Sequence, residues 1–244
     1  MSYIDSSLGI KLLEVDSTNN YIKDQSIPSG AWVISENQTA GKGRKDHKWE
    51  SLGNENIYFS TKILYPISVS IPIVSLFTAS SIIRALDEVV TENNLLIKWP
   101  NDIFMGLKKV GGILIESEVK GNEILLIIGI GINIYTKDKP EDLPYAGFLF
   151  SLEPDKSIKQ KIVLSIIENL NLMFEKIKNE NLIELELKYI LEKSYLKDKK
   201  IQLEWKGNLV IGDFSGYDSN GFLKVKLESE IITLMDTDPS FRIL

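Results

Sequence analysis

The feature that most restricts the fold is an almost continuous apolar run over Glu123–Ile134, near the middle of the chain. Such a run is typical of a strand buried in a sheet, and it is about half of the roughly 20 residues that span a bilayer. Gly112–Val119, which precedes it, alternates in the manner of a strand. The two segments therefore predict strands of a sheet that is covered on at least one face.

The remainder of the first 196 residues predicts further strands and several helices. A loose alternation over Tyr3–Leu13 is followed by candidate capping residues and a short helix that ends near Asp24. The polar segment Asn37–Ser51 has no hydrophobic periodicity and predicts a loop. Strands are predicted at 31–36, 56–64 and 95–99, a helix at 72–92, and two helices within 157–196 that break near 179–181.

After Lys197 the pattern changes to short strands, at 201–205, 209–217, 222–227 and 230–234. Their connections are rich in residues that accept a positive φ, which is typical of tight turns. The segment predicts a small β-barrel. The predicted domains are therefore 1–196, a unit of strands and helices, and 197–244, a compact β module.

Composition excludes several classes of function. The 244 residues include no cysteine and one histidine, which excludes disulfide scaffolds, cysteine nucleophiles and metal sites built from thiolates or several histidines. The net charge of −6 opposes nonspecific binding to nucleic acid. The N-terminus has no basic segment leading into an apolar run, so no signal peptide is predicted. We expect a cytoplasmic protein without DNA or membrane partners.

The segment Gln38–Trp49 concentrates five basic residues and two glycines in an acidic chain. Glycines let backbone N–H groups approach an anion, and Lys and Arg donate charge-assisted hydrogen bonds to phosphate or carboxylate oxygens. The segment therefore indicates an anion site, although a solvated basic turn would look the same. The spacing of a P-loop is absent, because no Gly-Lys-Ser/Thr follows a first glycine at the required distance.

The segment Lys98–Asp102 places a cation, an aromatic ring, a proline and two oxygen-bearing side chains at the end of a predicted strand. Asn101 and Asp102 could hold Mg²⁺ bridged to phosphates, because Mg²⁺ prefers a few protein oxygens together with substrate oxygens. A turn that ends the strand would use the same residues.

Two further segments contain glycines in or beside strands. In Lys109–Glu116 a lysine precedes a glycine pair, so the lysine could reach over the space that the missing side chains leave. A hairpin turn explains this glycine pair equally well. In Gly129–Asn133 two glycines interrupt a buried strand, but Asn133 stands where a dinucleotide fingerprint needs its third glycine.

The order of these segments resembles the biotin–protein ligase family. Its members carry a Ser-Thr-Asn segment, a basic glycine loop that ends in Trp, Lys-Trp-Pro-Asn-Asp, Lys-x-x-Gly-Ile-Leu-x-Glu and Gly-x-Gly-x-Asn. All five follow one another between Ser17 and Asn133. The resemblance implies an α+β fold of the class II synthetase-like type, in which a mixed β-sheet is flanked by helices and followed by a small SH3-like β-barrel.

The resemblance also implies the roles of individual residues. Lys109 and Arg44 would be catalytic, and Asn101 and Asp102 would hold Mg²⁺. Biotin would contact Ser17, Thr18, Asn19, Gln38, Gly41, Lys42, Gly43, Arg44, Lys109, Gly112, Gly129 and Gly131. ATP would contact Lys42, Arg44, Trp49, Lys98, Asn101, Lys109 and Asn133.

The basic loop departs from the family at four positions. Asp46 and His47 replace a glycine and an arginine, while Lys42 and Lys45 replace arginines. Lysine keeps the charge but not the bidentate fork of arginine, so looser contacts are expected at those positions. Asp46 adds a negative charge beside the expected anion site.

By resemblance, the chain is expected to convert biotin and ATP to biotinyl-5′-AMP and to transfer biotin to a lysine of an apo biotin-carboxyl-carrier domain of a biotin-dependent carboxylase. The few residues before Asp16 leave no room for the winged helix of the bifunctional repressors, so a monofunctional ligase is expected. A homodimer is left open. Two alternatives are a lipoate–protein ligase and a noncatalytic biotin-binding sensor or adaptor.

Overall fold

The computed structural model describes residues 3–45, 47–90, 94–138, 141–235 and 241–244. A 3₁₀ turn at Ser6–Leu8 opens the chain. The elements are then β1 Gly9–Val15, α1 Thr18–Ile22, β2 Trp32–Gln38, β3 Ile57–Pro66, α2 Ile71–Asp87, β4 Leu95–Lys98, β5 Asp102–Met105, β6 Lys108–Lys120, β7 Glu123–Ile132, α3 Ser157–Lys176, α4 Glu180–Glu192, β8 Lys200–Trp205, β9 Asn208–Tyr217, β10 Leu223–Lys226, β11 Ile231–Leu234 and β12 Arg242–Ile243.

The first seven strands form one mixed sheet in the order β1-β2-β3-β7-β6-β5-β4. β1 and β2 pair in parallel, and every other neighbouring pair in this sheet is antiparallel. The longest pairings join β7 to β3 and to β6, so the apolar run at 123–132 lies in the centre of the sheet. This confirms the sheet that the periodicity predicts.

The two faces of the sheet are covered unequally. The alternate residues Phe59, Ile128 and Ile130 pack into the main core together with α2, α3 and α4. α2 is buried along most of its length. The opposite face carries the short helix α1, whose Ile22 packs in a small cluster with Val33. The rest of that face is therefore free to form a site.

The last five strands form a second antiparallel sheet, in the order β11-β10-β9-β8-β12. It agrees with the SH3-like module that the resemblance implies. Its buried residues, among them Leu203 and Leu223, belong to the same hydrophobic core as α2. The change of sheet falls between α4 and β8, and the domain division at residues 196 and 197 stays a prediction.

The boundaries differ from the sequence prediction at several places. β5 and β12 were not predicted, because four- and two-residue strands are too short to show a period. β6 begins at Lys108 and not at Gly112, and β2 continues to Gln38, into the predicted loop. α2 ends at Asp87, and the predicted end at Glu92 lies outside the described residues. No helix in the described ranges is long and apolar enough to cross a membrane.

Candidate active site

A single row of residues crosses five strands on the open face of the large sheet. Tyr58 of β3 lies opposite Gly131 of β7, which lies opposite Gly112 of β6. Gly112 in turn lies opposite Asp102 of β5, and Asp102 opposite Lys98 of β4. The side chains of directly opposed residues point to the same face of the sheet. Gly131 and Gly112 therefore leave a trough on that face, with the Tyr58 ring on one side and the charged Asp102 and Lys98 on the other.

A β-bulge turns Lys109 toward this trough. Ile103 of β5 pairs with Gly111, but the next residue, Phe104, pairs with Lys109, so Val110 has no partner on β5. In a regular strand Lys109 would share the face of Gly111, away from Gly112. The extra residue places Lys109 on the face of Gly112 instead, in agreement with the frequent use of bulges to aim a side chain beside a site.

The part of the row from Gly131 to Lys98 forms the floor of a cavity of about 420 Å³. The N-terminus of α1 and the basic loop form its walls. Most of the predicted site residues line it: Ser17, Thr18, Asn19, Gln38, Lys42, Gly43, Arg44, Trp49, Lys98, Asn101, Asp102, Lys109, Gly112, Gly129 and Gly131. Gly41 lines an adjoining cavity on the other side of the loop, and Asn133 lines a third cavity.

The basic loop is a small hairpin and not an irregular coil. Lys42 and Lys48 form an antiparallel bridge, and the backbone N–H of Trp49 donates to the carbonyl of Gly41 at 3.0 Å. Lys45 has a φ of +51°, in the left-handed region that a side chain disfavours. Asp46 lies outside the described residues, and His47 is exposed. The hairpin holds the loop's cations at the mouth of the cavity.

Three of the cations that line the cavity lie beside its floor. The ammonium of Lys109 lies 2.6 Å from Asp102 Oδ1 and 5.5 Å from the centre of the Trp49 ring. Arg44 donates to the side-chain oxygen of Asn101 at 3.4 Å. Lys98 lies 4.8 Å from the ring centre of Phe104. This end of the cavity is therefore positive, with Asp102 as a local counter-charge.

The wall on the α1 side is neutral and polar. The side-chain oxygen of Gln38 accepts from the backbone N–H of Thr18 at 2.8 Å and lies 3.0 Å from the Thr18 hydroxyl oxygen. Ser60 of β3 lies 2.8 Å from the Thr18 hydroxyl and donates to Asn19 Oδ1 at 2.6 Å. Ser60 was not among the predicted site residues, because only the pairing of β3 with β7 brings it there.

Protein side chains fill the space that the glycines leave. A Cβ on Gly129 would lie 2.2 Å from Asn19 Oδ1. A Cβ on Gly131 would lie 2.4 Å from the ring of Trp49, and one on Gly112 would lie 2.8 Å from the same ring. Gly129 therefore accommodates Asn19, and the other two glycines accommodate the indole. Their contacts with biotin stay a prediction.

An apolar cavity of about 470 Å³ lies on the other side of Trp49 and Lys109. Asn133 lines it together with the segment 142–146. The carbonyl of Tyr145 accepts from the backbone N–H of Lys109 at 2.9 Å, which fastens this segment to β6. Sequence reasoning missed the segment, because its residues carry no motif of their own.

The model of the Biotin/lipoate A/B protein ligase family matches residues 12–133, which include every element that contributes to the row and to the polar wall. The chain belongs to this family. That result confirms the resemblance inferred from the five motifs.

Related proteins agree with this family assignment. The Bifunctional ligase/repressor BirA of Salmonella typhimurium is 26% identical over 252 residues, which cover 99% of this chain and 76% of that protein. The Biotin--[acetyl-CoA-carboxylase] ligase of Paracoccus denitrificans is 32% identical over 130 residues, 50% of this chain and 53% of its own. The solved biotin protein ligase from Aquifex aeolicus, in complex with biotin and ATP, superposes with a TM-score of 0.79 at 26% identity, covering 97% of this chain and 98% of that one.

The residues expected to hold Mg²⁺ already face cations. Asp102 is paired with Lys109, and the amide oxygen of Asn101 accepts from Arg44. Among the residues that the structure describes, no group of three or more His, Asp or Glu side chains could hold a metal ion. Two oxygens that each face a cation do not fit a resident Mg²⁺.

The C-terminal module also contributes to this ligase-family site. Phe241 lines the main cavity, and its ring centre lies 6.3 Å from that of Trp99. The indole N–H of Trp99 donates to the carbonyl of Gly221 at 3.1 Å. The turn between β4 and β5, which carries Asn101, is therefore held from both sheets. No sequence signal connected residue 241 with the site.

Proposed function

We propose that this protein is an ATP-dependent biotin–protein ligase that forms biotinyl-5′-AMP and transfers biotin to a lysine of an apo biotin-carboxyl-carrier domain. The observation that carries the proposal is the juxtaposition of a neutral, hydrogen-bonding wall at Thr18 and Gln38 with the cations Lys109 and Arg44 in one cavity. A ligand for this cavity needs an uncharged polar head and an anionic tail. Biotin, with its ureido ring and valerate carboxylate, has this chemistry.

The nucleotide would lie on both sides of Trp49. The apolar cavity beside Asn133 and Tyr145 suits a purine base, and the cations of the main cavity suit phosphates. Lys109 lines both cavities, so its ammonium can reach the α-phosphate and the biotin carboxylate together. Mg²⁺ would enter as part of the Mg–ATP substrate, bound to its phosphates.

In the first half-reaction a carboxylate oxygen of biotin attacks the α-phosphorus, and pyrophosphate leaves. In the second, an acceptor lysine amine attacks the acyl carbon, and AMP leaves. Neither step needs an enzyme nucleophile, so the protein contributes positioning and fixed positive charge. Lys109 and Arg44 reduce the repulsion between the two anions, and the hairpin at 41–49 shields the reactive anhydride from water.

The polar wall distinguishes biotin from lipoate. The dithiolane ring of lipoate has no hydrogen-bonding partner for Gln38 and Thr18, and a buried polar group left without a partner costs about 1–3 kcal/mol. The same wall would serve a noncatalytic biotin sensor. The reaction itself separates that alternative from the ligase.

The test is incubation of the protein with biotin, Mg–ATP and an apo-acceptor domain, followed by measurement of the intact acceptor mass. We expect the mass of one biotinyl group to be added, with release of pyrophosphate. Lipoate in place of biotin is the control, and modification by lipoate alone would favour the second enzyme. Biotin binding without either product would indicate a sensor.

A cytoplasmic location stays a prediction from the sequence. The absence of DNA and membrane partners stays a prediction from the sequence.

A further inference from the structure

The polar wall of the cavity is connected to a carboxylate behind it. Glu116 of β6 accepts from the side-chain N–H of Asn19 at 2.9 Å. Its other oxygen lies 2.6 Å from the ammonium of Lys23. Asn19 is 3% exposed, so its amide has few alternatives to these partners. The two residues are 97 positions apart, and only the fold brings them together.

The carboxylate determines which way the Asn19 amide faces. An ionised carboxylate can only accept hydrogen bonds, so the NH₂ group of Asn19 must face Glu116. Asn19 Oδ1 therefore faces Ser60, whose hydroxyl donates to it at 2.6 Å. Ser60 has a single proton, and giving it to Asn19 leaves the Ser60 oxygen as an acceptor toward Thr18, 2.8 Å away.

The hydrogen-bond directions that Glu116 sets extend through Thr18 and Gln38 to the side of the wall that faces the ligand. Gln38 Oε1 accepts from the backbone N–H of Thr18 at 2.8 Å, which leaves the Gln38 NH₂ group as a donor. The Thr18 hydroxyl stands between Ser60 and Gln38, at 2.8 and 3.0 Å. Both neighbouring oxygens accept there, and Gln38 Oε1 already accepts from the backbone N–H of Thr18, so the single Thr18 proton goes to Ser60. The lone pairs of the Thr18 hydroxyl then stay available to a donor on the ligand.

The charges around Glu116 keep it ionised. Burial raises the pKa of this carboxyl, but the hydrogen bonds from Lys23 and Asn19 and the charges of Lys23 and Lys42 outweigh burial and hold the pKa below its ordinary value. Glu116 thus remains an acceptor at neutral pH.

We propose that Glu116 is a positioning residue for the ligand's uncharged polar head, acting through Asn19, Ser60 and Thr18. The inference rests on the proposed function, because it names a residue that orders the biotin wall without touching biotin. Glu116 fixes the proton pattern before the ligand arrives. Its effect belongs to binding of biotin and not to the chemical step.

The test compares Glu116→Ala, Glu116→Gln and Glu118→Ala. Glu118 is the matched control, because it lies two residues along on the same face of β6 and pairs with Lys120 in solvent. Gln at position 116 can still accept from Asn19 but loses the charge. We measure KM for biotin, KM for ATP and kcat in pyrophosphate release, and biotin affinity by calorimetry without ATP.

For Glu116→Ala we expect KM and Kd for biotin to rise about ten- to a hundredfold, the size of a lost hydrogen bond to a charged group. The kcat and the KM for ATP stay within about threefold of the wild-type values, because the polar wall binds biotin equally well in the ground state and in the transition state. Glu116→Gln restores most of the biotin affinity, and Glu118→Ala matches wild type.

A purely structural role for the Lys23–Glu116 ion pair gives a different pattern. Lys23→Met removes that pair but leaves the acceptor for Asn19, so we expect it to keep the biotin affinity. The proposal is overturned if Lys23→Met reproduces Glu116→Ala, if kcat falls in place of the affinity, or if Glu116→Ala binds biotin normally. A wild-type protein that neither binds biotin nor releases pyrophosphate refutes the proposed function itself, whatever the variants do.

Discussion

Lys109 owes its position to one extra residue, Val110, in β6. The bulge there places the lysine on the face of Gly112, where its ammonium lies 2.6 Å from Asp102. A long cationic side chain beside a carboxylate and an indole is held in one place, and a fixed charge stabilises a developing negative charge without reorganisation.

Lys109→Ala is expected to reduce pyrophosphate release roughly a hundredfold, since a cation at the reacting oxygens contributes on the order of 3 kcal/mol. Lys120→Ala, at the far end of the same strand, is the control. Both variants are first checked for an unchanged Tm. Normal release by a folded Lys109→Ala variant would remove this lysine from the site.

Arg44→Gly is expected to separate the two half-reactions. Adenylate still forms, because Lys109 remains, but the lost guanidinium contact lowers its retention about ten- to a hundredfold. Released adenylate acylates exposed lysines, so the variant labels serum albumin in a biotin- and ATP-dependent way, as detected by a biotin blot. If adenylate forms at a normal rate and albumin is labelled no more than by wild type, the hairpin is not the lid.

At the scale of elements, three helices meet at a single buried carboxylate. Glu186 of α4 is 5% exposed and lies 3.1 Å from Arg84 of α2 and 2.6 Å from Lys176 of α3. Burial raises the pKa of Glu186, but the hydrogen bonds from Lys176 and Ser80 and the charges of Lys176 and Arg84 outweigh burial, and the pKa lies below its ordinary value. The helical layer behind the sheet therefore depends on this ionised group.

The lowered pKa of Glu186 makes the folded state more stable at pH values above about 4.3, the pKa of a glutamate in an unfolded chain. This stabilisation is lost as the pH falls through the lower pKa of the folded state. We expect Glu186→Gln to lower the free energy of unfolding by about 2 kcal/mol at pH 7, with a smaller difference from wild type near pH 3. Urea unfolding at both pH values measures it. Glu184→Gln, an exposed pair with Lys188 on the same helix, is the control. An equal effect of both variants would contradict the prediction.

At the scale of the whole molecule, the second sheet supports the turn that carries Asn101. Gly221 has a φ of +82°, and a Cβ there would lie 2.6 Å from the backbone nitrogen of Ile73 in α2. Its carbonyl accepts from Trp99. This glycine thus joins the C-terminal module to α2 and to the β4–β5 turn at one point.

Gly221→Ala is expected to lower the free energy of unfolding by about 2 kcal/mol or more, because backbone strain and a contact with backbone atoms add together. Gly207→Ala is the matched control, since Gly207 has a φ of +79° in the same module but open space around it. We expect pyrophosphate release to fall only for Gly221→Ala. Equal losses in both variants would show that strain alone acts at residue 221.

The sequence by itself determined most of the elements, in their order, and the family of the chain. Binary patterns predicted the central strands and the helical pair, because burial repeats with the period of each element. Five short motifs predicted the family, which is confirmed. The same motifs contain the predicted site residues, and all of these except Gly41 and Asn133 line one cavity. Their individual roles stay predictions.

Only the tertiary structure decided which of those residues meet. The pairing of Gly112 with both Asp102 and Gly131, the bulge at Val110 and the contact of Glu116 with Asn19 depend on strand register. Register is set by packing across the sheet and by turn geometry, so residues far apart in the chain carry no local sign of it. For the same reason Ser60 and Phe241 were missed, and the glycines accommodate Asn19 and Trp49, which no periodicity could show.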